Sequence, residues 1–341
     1  MKKIFCMVLA LAVLLTFFTG CEANVKPAQN TAKTKGYPIE IKDSMGRKVT
    51  IPEQPKRITS GYYISTYMLL NLGLKDKLVG IESKAKTRSV YKLFAPELLK
   101  VADIGTAKAV NQETIMSLNP DLVILPYQQV ETASKFENLG IPTIVVKPET
   151  MDDFLYVYDI LGKATGTSDR LTDLVNWYKS AWAELESKTK GLEQKTVYFC
   201  SSSDPLNALT AKMFQSEIVK AAGGKLVTID IDGAYWTKIS FEQLYNYKPE
   251  FMFISSGSEM TPKSLLADQN WQKLFTQQNV YGFPSKVDGW DNPTLSSVLG
   301  AYFMANKLHP EAVTKEDVIN KAKEFYQRAF NMDTTAEQLG F

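Results

Sequence analysis

"QETIMSLNPDLVIL", Gln112 to Leu125, returns 129 residues later as "FEQLYNYKPEFMFI", Phe241 to Ile254. Each copy runs from a glutamate, Glu113 or Glu242, to a proline seven residues on, Pro120 or Pro249, and then through an acid into an apolar run. Ile115 with Leu118, and Leu244 with Tyr247, recur at helical spacing, and the proline disfavours a helix beyond Asn119 or Lys248. "DLVIL" and "EFMFI" read as short strands buried on both faces. Each copy is therefore a helix, a proline turn and a strand, one step of an α/β winding. Two copies so far apart predict two similar α/β lobes, because a solenoid would repeat every ~20 to 50 residues.

The same alternation extends outward on both sides. "YPIEIKDSMGRKVTIP" enters and leaves a turn at Ser44 to Gly46 and predicts a β-hairpin. Strands are expected at "RITS", "LVGI" and "PTIVV", with helices at Ile64 to Leu72 and Glu131 to Leu139. "TSDRLTDLVNWYKSAWAELESKTKG" differs: Leu171, Leu174, Val175, Tyr178, Trp182 and Leu185 make one apolar stripe, Ser168 or Asp169 can cap it, and Gly191 can stop it. A helix of roughly 20 residues, about 30 Å long, is expected there between the lobes. Beyond it come strands at "TVYFC" and "LVTI", helices at Lys212 to Ala222, Asp268 to Phe275 and Thr294 to Lys307, and the amphipathic helix "KEDVINKAKEFYQRAF". The fold class is α/β: two Rossmann-like lobes with mostly parallel central sheets, joined by a single long α-helix.

The amino terminus has its own logic. "MKKIFCMVLALAVLLTFFTGC" places two lysines before an apolar run from Ile4 to Phe18 and then small residues, which reads as a secretory signal rather than a membrane span. Residues Phe18, Thr19 and Gly20 before Cys21 resemble the bacterial lipoprotein cleavage box, although Phe18 stands where Leu is usual. That resemblance implies cleavage before Cys21 and a lipidated N-terminal cysteine; the alternative is an ordinary signal in which Cys21 is incidental. Polar residues to Gly36 then form a tether. The expected organisation is a signal at 1–20, a tether at 21–36, a first lobe at 37–166, the joining helix at 167–190 and a second lobe at 191–341. Export, with attachment to the outer face of the cytoplasmic membrane or release to a periplasm, follows.

Of three cysteines only Cys200 lies in the expected body, in an apolar run where a buried inert thiol fits. Without Lys2 and Lys3 the chain carries 37 basic and 37 acidic residues, so nothing favours nucleic acid as a partner. An enzyme reading is weak. The single histidine, His309, sits in "KLHPE" at a helix end, where a surface position is expected. "SSSD" at Ser201 to Asp204 is followed by proline and makes a poor nucleophile elbow. No cluster of His, Cys and carboxylates has metal-ligand spacing, so a ligand bringing its own coordination sphere fits better than a bare ion, and no resident cofactor is expected.

Taken in order, "IKDSMGRKVTIPEQPKRITS", "LVGI", "ADIG", "NQETIMSLNPDLVI", "LGIPTIVV", "LGKATGTSDRLTDLVNWYKS", "KAAGGKLV", "WTKISFEQLYNYKPEFMFI" and "LGAYFMANKLHPE" resemble the extracytoplasmic substrate-binding proteins of ABC importers for iron-siderophores, haem, cobalamin and related chelates. The resemblance covers essentially the whole chain after the signal. It implies lobes joined by one long helix, a small hinge motion, and an ABC permease with its ATPase as partner. It also implies one surface glutamate per lobe docking on permease arginines, which by motif position are Glu113 and Glu242. Asn111 and Ser240 are good N-caps, so the plain alternative is that both acids merely favour a helix start. The ligand implied first is a ferric siderophore; haem, a corrinoid or, in a small polar site, molybdate are alternatives. A ligand sensor or adhesin of the same fold is the rival from another class.

Ligand residues are expected on loops that follow the strands. These loops offer Tyr62, Tyr63, Arg88 and Tyr127 in the first lobe, and Lys212, Tyr235, Trp236 and Trp290 in the second. Aromatics with a few cations suit a planar or anionic chelate, by stacking and charge pairing. For the aromatics, a place in the core is the competing reading.

Overall fold

The computed structural model describes residues 36–341 except 234 and 258. The signal, Cys21 and the tether up to residue 35 lie outside the described residues.

The repeated phrase folds the same way twice. Helices Gln112–Ser117 and Phe241–Tyr247 start at Asn111 and Ser240, whose side chains accept from the backbone amides of Thr114 and Gln243. Ile115 and Leu244 point inward and are fully buried. After each helix the chain reverses through a left-handed residue, Asn119 at φ 46° and Lys248 at φ 48°, directly before the proline. A proline disfavours the right-handed helical region for the residue preceding it, which is why both helices stop here. The acid after the proline then ties the start of the neighbouring strand. Asp121 accepts from the amides of Lys56 and Arg57 at 2.8 and 2.9 Å, and Glu250 accepts from the amide of Thr196 at 2.8 Å.

The strands that follow, Leu122–Pro126 and Phe251–Ile254, sit inside their sheets. In the first lobe the order is Ala102–Asp103, Leu78–Ile81, Ile58–Ser60, Leu122–Pro126, Thr143–Val146, all parallel. In the second, Lys195–Cys200 and Phe251–Ile254 pair in parallel, with Val280–Gly282 and Gly224–Leu226 as further parallel neighbours. Two short antiparallel strands, Asn207–Ala208 and Thr237–Lys238, extend one side. Ile39–Lys42 and Lys48–Ile51 form the expected hairpin.

Between the sheets runs the helix Ser168–Thr189, 22 residues long. Leu171, Leu174, Trp177, Tyr178, Ala181, Trp182 and Leu185 are buried along it and belong to a core continuous from the first sheet to the second. Neither Ser168 nor Asp169 caps it: Thr167 is the capping position, and its hydroxyl bonds Thr165 instead of a helix amide. A second helix, Met151–Thr165, precedes it and ends at left-handed Gly166. Gly162 lets the two helices approach, since a Cβ there would lie 2.9 Å from Leu171 Cδ2.

Some expectations shift. "LVTI" is not a strand: the strand is Gly224–Leu226, and Thr228 turns its hydroxyl to the Leu209 carbonyl. The helix expected from Lys212 is Gln215–Ala221, and that at Asp268 to Phe275 is the shorter α-helix Gln269–Gln272, capped by Asp268. His309 is not on the surface. It ends the helix Ser297–Leu308, is 3% exposed, and its Nε2 lies 3.3 Å from the Gly223 carbonyl. Cys200 is fully buried, and burial pushes its thiol pKa well up, which keeps it unreactive.

Candidate functional site

A cavity of about 570 Å³ lies between the sheets, a size suited to a small molecule. It is built by loops leaving the carboxyl ends of parallel strands, where open α/β sheets place their ligands. From the first lobe come Tyr63 and Tyr67 after Ile58–Ser60, and Lys84, Thr87, Arg88, Ser89 and Tyr91 after Leu78–Ile81. Ser202 follows Lys195–Cys200, Ser255 to Gly257 follow Phe251–Ile254, and Asp288, Asn292 and Thr294 follow Val280–Gly282. Hydroxyls dominate this wall.

Arg88 is the chief cation. Its guanidinium carbon lies 3.6 Å over the Tyr63 ring centroid, and its buried Nε has no hydrogen-bond partner. Burial raises the Tyr63 phenol pKa, and the Arg88 charge opposes that rise. Tyr91 is fully buried beneath, donating to the Tyr63 carbonyl at 3.1 Å.

The opposite lobe contributes carboxylates already engaged. Asp288 accepts from Tyr67 at 2.7 Å and from Tyr326. Burial raises its pKa, and donation by Tyr326, Tyr67, Ser296 and Trp290 works against that rise. Asp291, 1% exposed, accepts from the Ser255 hydroxyl and, at 3.1 Å, from the Ser256 amide, so it shapes the serine turn.

Of the residues expected from sequence, the cavity gathers Tyr63 and Arg88. Tyr62 stands edge-on to Tyr63 with centroids 5.2 Å apart but is not on the cavity wall. Tyr127 and Tyr235 meet across the lobes with hydroxyls 2.6 Å apart, and Tyr235 donates to Glu149 at 2.8 Å. Lys212 is exposed and paired with Asp232 at 2.5 Å. Trp236 packs edge-on to Phe199. Trp290 is 1% exposed, stacks on Phe341 and donates to Tyr326, so it stands in the core behind Asp288. In "DGWDNP" the aspartate reaches the cavity and the tryptophan supports it. The loop at Ser255 to Gly257 could be placed from sequence, because it directly follows the repeated strand, but not which of its side chains faces the cavity.

Glu113 and Glu242 are exposed in the first turns of their helices. Among the described residues no group of three or more His, Cys, Asp or Glu is placed to hold a metal ion, and no helix is long and apolar enough to cross a membrane.

Known proteins share this arrangement. Residues 58–286 match the family described as Periplasmic binding protein. An uncharacterized ABC transporter substrate-binding lipoprotein of Bacillus subtilis, YvrC, is 25% identical, over 89% of this chain and 96% of its own. The molybdate-binding protein MolA of Haemophilus influenzae is 22% identical over 85% and 90%, and the Fe(3+)-citrate-binding protein YfmC of Bacillus subtilis 24% over 83% and 89%. A periplasmic solute binding protein from Veillonella parvula superimposes with a TM-score of 0.78 at 24% identity, covering 88% of this chain and 95% of that one, a likeness of fold. With a matched region spanning both sheets and the joining helix, the chain belongs to the periplasmic binding protein family and serves as a substrate-binding component of an ABC transporter, a role of binding rather than catalysis.

Proposed function

We propose that the chain captures a compact anionic ferric chelate, a carboxylate-bearing complex or small siderophore, outside the cytoplasmic membrane and delivers it to its permease. The observation that carries this reading is Arg88, whose guanidinium faces the cavity with a buried Nε awaiting a partner. Pairing with a ligand carboxylate in a site shielded from water gives a charge-assisted bond stronger than a neutral one. The hydroxyls of Ser256 and Thr294 suit the chelate's remaining oxygens. Haem and corrinoids, with broad apolar faces, are less well served, since Trp290 is buried in the core and the half-buried Trp236 packs against Phe199, off the cavity wall.

A second reading, a molybdate-like oxyanion, is favoured by the polar wall of the cavity. Tryptophan fluorescence titration with ferric citrate, a ferric hydroxamate, haem, cobalamin and molybdate tests both. Saturable quenching by a ferric chelate, lost in Arg88→Gln, is expected; a response confined to haem or cobalamin overturns the reading. Lipidation at Cys21, docking through Glu113 and Glu242, and a small hinge about Ser168–Thr189 complete the proposal. A sensor or adhesin role would be supported if binding never sustained uptake.

A further inference from the structure

The first lobe brings a cation to the cavity wall, and the second brings an acceptor. Asp288, on the loop after Val280–Gly282, borders the cavity between two tyrosines. Tyr67, from the helix Tyr63–Asn71 of the first lobe, donates to Oδ2 at 2.7 Å. Tyr326, from the helix Lys315–Phe330, donates to Oδ1. Trp290 fixes the direction of that second bond, because its indole Nε1 can only donate and lies 2.8 Å from the Tyr326 oxygen. Tyr326 has a single hydrogen, and with Trp290 as its donor that hydrogen goes to Asp288. Both carboxyl oxygens therefore accept, the pattern of an ionised carboxylate.

Tyr326 is fully buried, Trp290 is 1% exposed and Tyr67 4%, so the carboxylate is backed by core side chains and has the cavity in front. A carboxylate has about four lone-pair sites, and the two phenols take one on each oxygen. The others are left for a donor that enters the cavity. Asp291 is not a second such acceptor, since the Ser255 hydroxyl and the Ser256 amide occupy it and it does not border the cavity. Arg88 offers the opposite polarity, with a buried Nε that has no hydrogen-bond partner.

We infer that Asp288 is a specificity-determining acceptor: it admits a chelate that presents a hydrogen-bond donor as well as a carboxylate, and rejects an oxyanion that carries no hydrogen. This rests on the proposed reading that the ligand is an anionic ferric chelate held by Arg88. In a site shielded from water, a ligand oxygen without hydrogen set against Asp288 meets a like charge and leaves both acceptors unpaired. Such a mismatch discriminates more strongly than a difference in size. Iron-bound water and uncoordinated hydroxyl groups of a ferric citrate complex carry the required hydrogens. Molybdate near neutral pH is all acceptor, so Asp288 separates the two readings of the cavity.

The test titrates ferric citrate and molybdate by calorimetry near neutral pH into the wild type, Asp288→Asn and Arg88→Gln, each with a thermal unfolding record. Asp288→Asn removes the charge and turns one acceptor into a donor. Molybdate is expected to bind about tenfold more tightly and ferric citrate about tenfold more weakly, so the two ligands move in opposite directions. Equal shifts in one direction, or none, overturn the inference and leave Asp288 as a strut between Tyr67 and Tyr326. Ferric citrate binding unchanged in Arg88→Gln removes the Arg88 reading, while opposite shifts in Asp288→Asn would still support the acceptor. A wild type that binds no ferric citrate, or binds molybdate more tightly, overturns both. Should Asp288→Asn fail to fold, Tyr67→Phe keeps the charge and frees one acceptor site; it is expected to keep or widen the preference for ferric citrate, and a narrowed preference overturns the inference.

Discussion

The hydroxyls of Tyr127 and Tyr235 lie 2.6 Å apart, joining the two halves of the chain, and the Tyr235 hydroxyl donates to Glu149 at 2.8 Å. Glu149 is held in turn by Lys147 at 3.1 Å, whose ammonium stands 5.2 Å from the Tyr127 ring centroid. This bridge adjoins the Tyr62 and Tyr63 pair, since the Tyr62 phenol lies in the field of Tyr127 and Glu149. Tyr235→Phe removes both hydrogen bonds from a side chain that is 51% exposed, so the fold loses little. Each lost bond is worth about 1 kcal/mol. Ligand dissociation, followed by stopped-flow fluorescence, is expected to accelerate by up to about thirtyfold, the factor that two such bonds together give, with only a small fall in melting temperature. An unaltered dissociation rate would show that the bridge does not restrain opening.

Much of this architecture was legible because its signals are local. A cap, a buried Ile or Leu, a left-handed residue and a proline fall within ten residues of each repeat, from Asn111 to Pro120 and from Ser240 to Pro249. The helix Met151–Thr165 carries equally local signals, a Thr150 and Asp153 capping box and an apolar stripe through Phe154, Tyr158 and Leu161, yet went unassigned. Trp290 and His309 were illegible for another reason. Their surroundings, Phe341 and Tyr326 for one and Gly223 for the other, come from distant parts of the chain. The serine turn and Asp288 share that difficulty: their loops can be placed after strands, but which side chain turns inward depends on the facing lobe.

Gly300 lets its helix lie directly against the backbone of Trp290, two residues from Asp288. A Cβ there would lie 2.2 Å from the Trp290 carbonyl oxygen, and this close approach of the helix Ser297–Leu308 fixes the loop that carries Asp288. Backbone on both sides leaves no flexible atom to yield. Gly300→Ala is expected to destabilise the protein by about 3 kcal/mol, measured by urea unfolding, and to weaken ligand binding. Wild-type stability would mean the loop can move aside freely.

The acids after the two prolines perform one task, and their loss should look alike. Asp121→Ala and Glu250→Ala each free the amides at the start of an adjacent strand, at an expected cost of about 1 kcal/mol. Partial burial works against the Glu250 carboxylate, but the amide and hydroxyl of Thr196, with Lys195, hold its pKa below the usual range. A depressed folded-state pKa contributes stability that is present above the unfolded value and lost as pH falls through the folded one. Acid unfolding of Glu250→Ala should therefore be less steep than that of the wild type on the acid side of neutrality.

Asp317 offers a sharper acid marker. It closes the capping box with Thr314 at the head of the helix Lys315–Phe330 and pairs with Lys188 of the long helix at 3.0 Å. The Thr314 bond first, against some burial, and then Lys188 lower its pKa to about 2. Its stabilising effect is complete above the ordinary aspartate range and disappears as pH falls toward about 2. In Asp317→Asn the stability difference from wild type should shrink as pH falls through that window. A difference that stays constant with pH would assign the effect to packing.

Docking through Glu113 and Glu242 can be separated from stability because both acids sit in exposed first helical turns whose caps, Asn111 and Ser240, do the structural work. A carboxylate there favours the helix by only about 0.3 to 1 kcal/mol. Charge reversal at either position should therefore lower stability by about 1 kcal/mol at most and leave ferric citrate affinity untouched, since neither residue borders the cavity. If each lobe presents its acid to one half of a permease, Glu113→Arg and Glu242→Arg each abolish uptake in proteoliposomes reconstituted with the cognate transporter. Normal transport by both variants, with binding intact, would leave these carboxylates as helix-start residues and move the docking surface elsewhere.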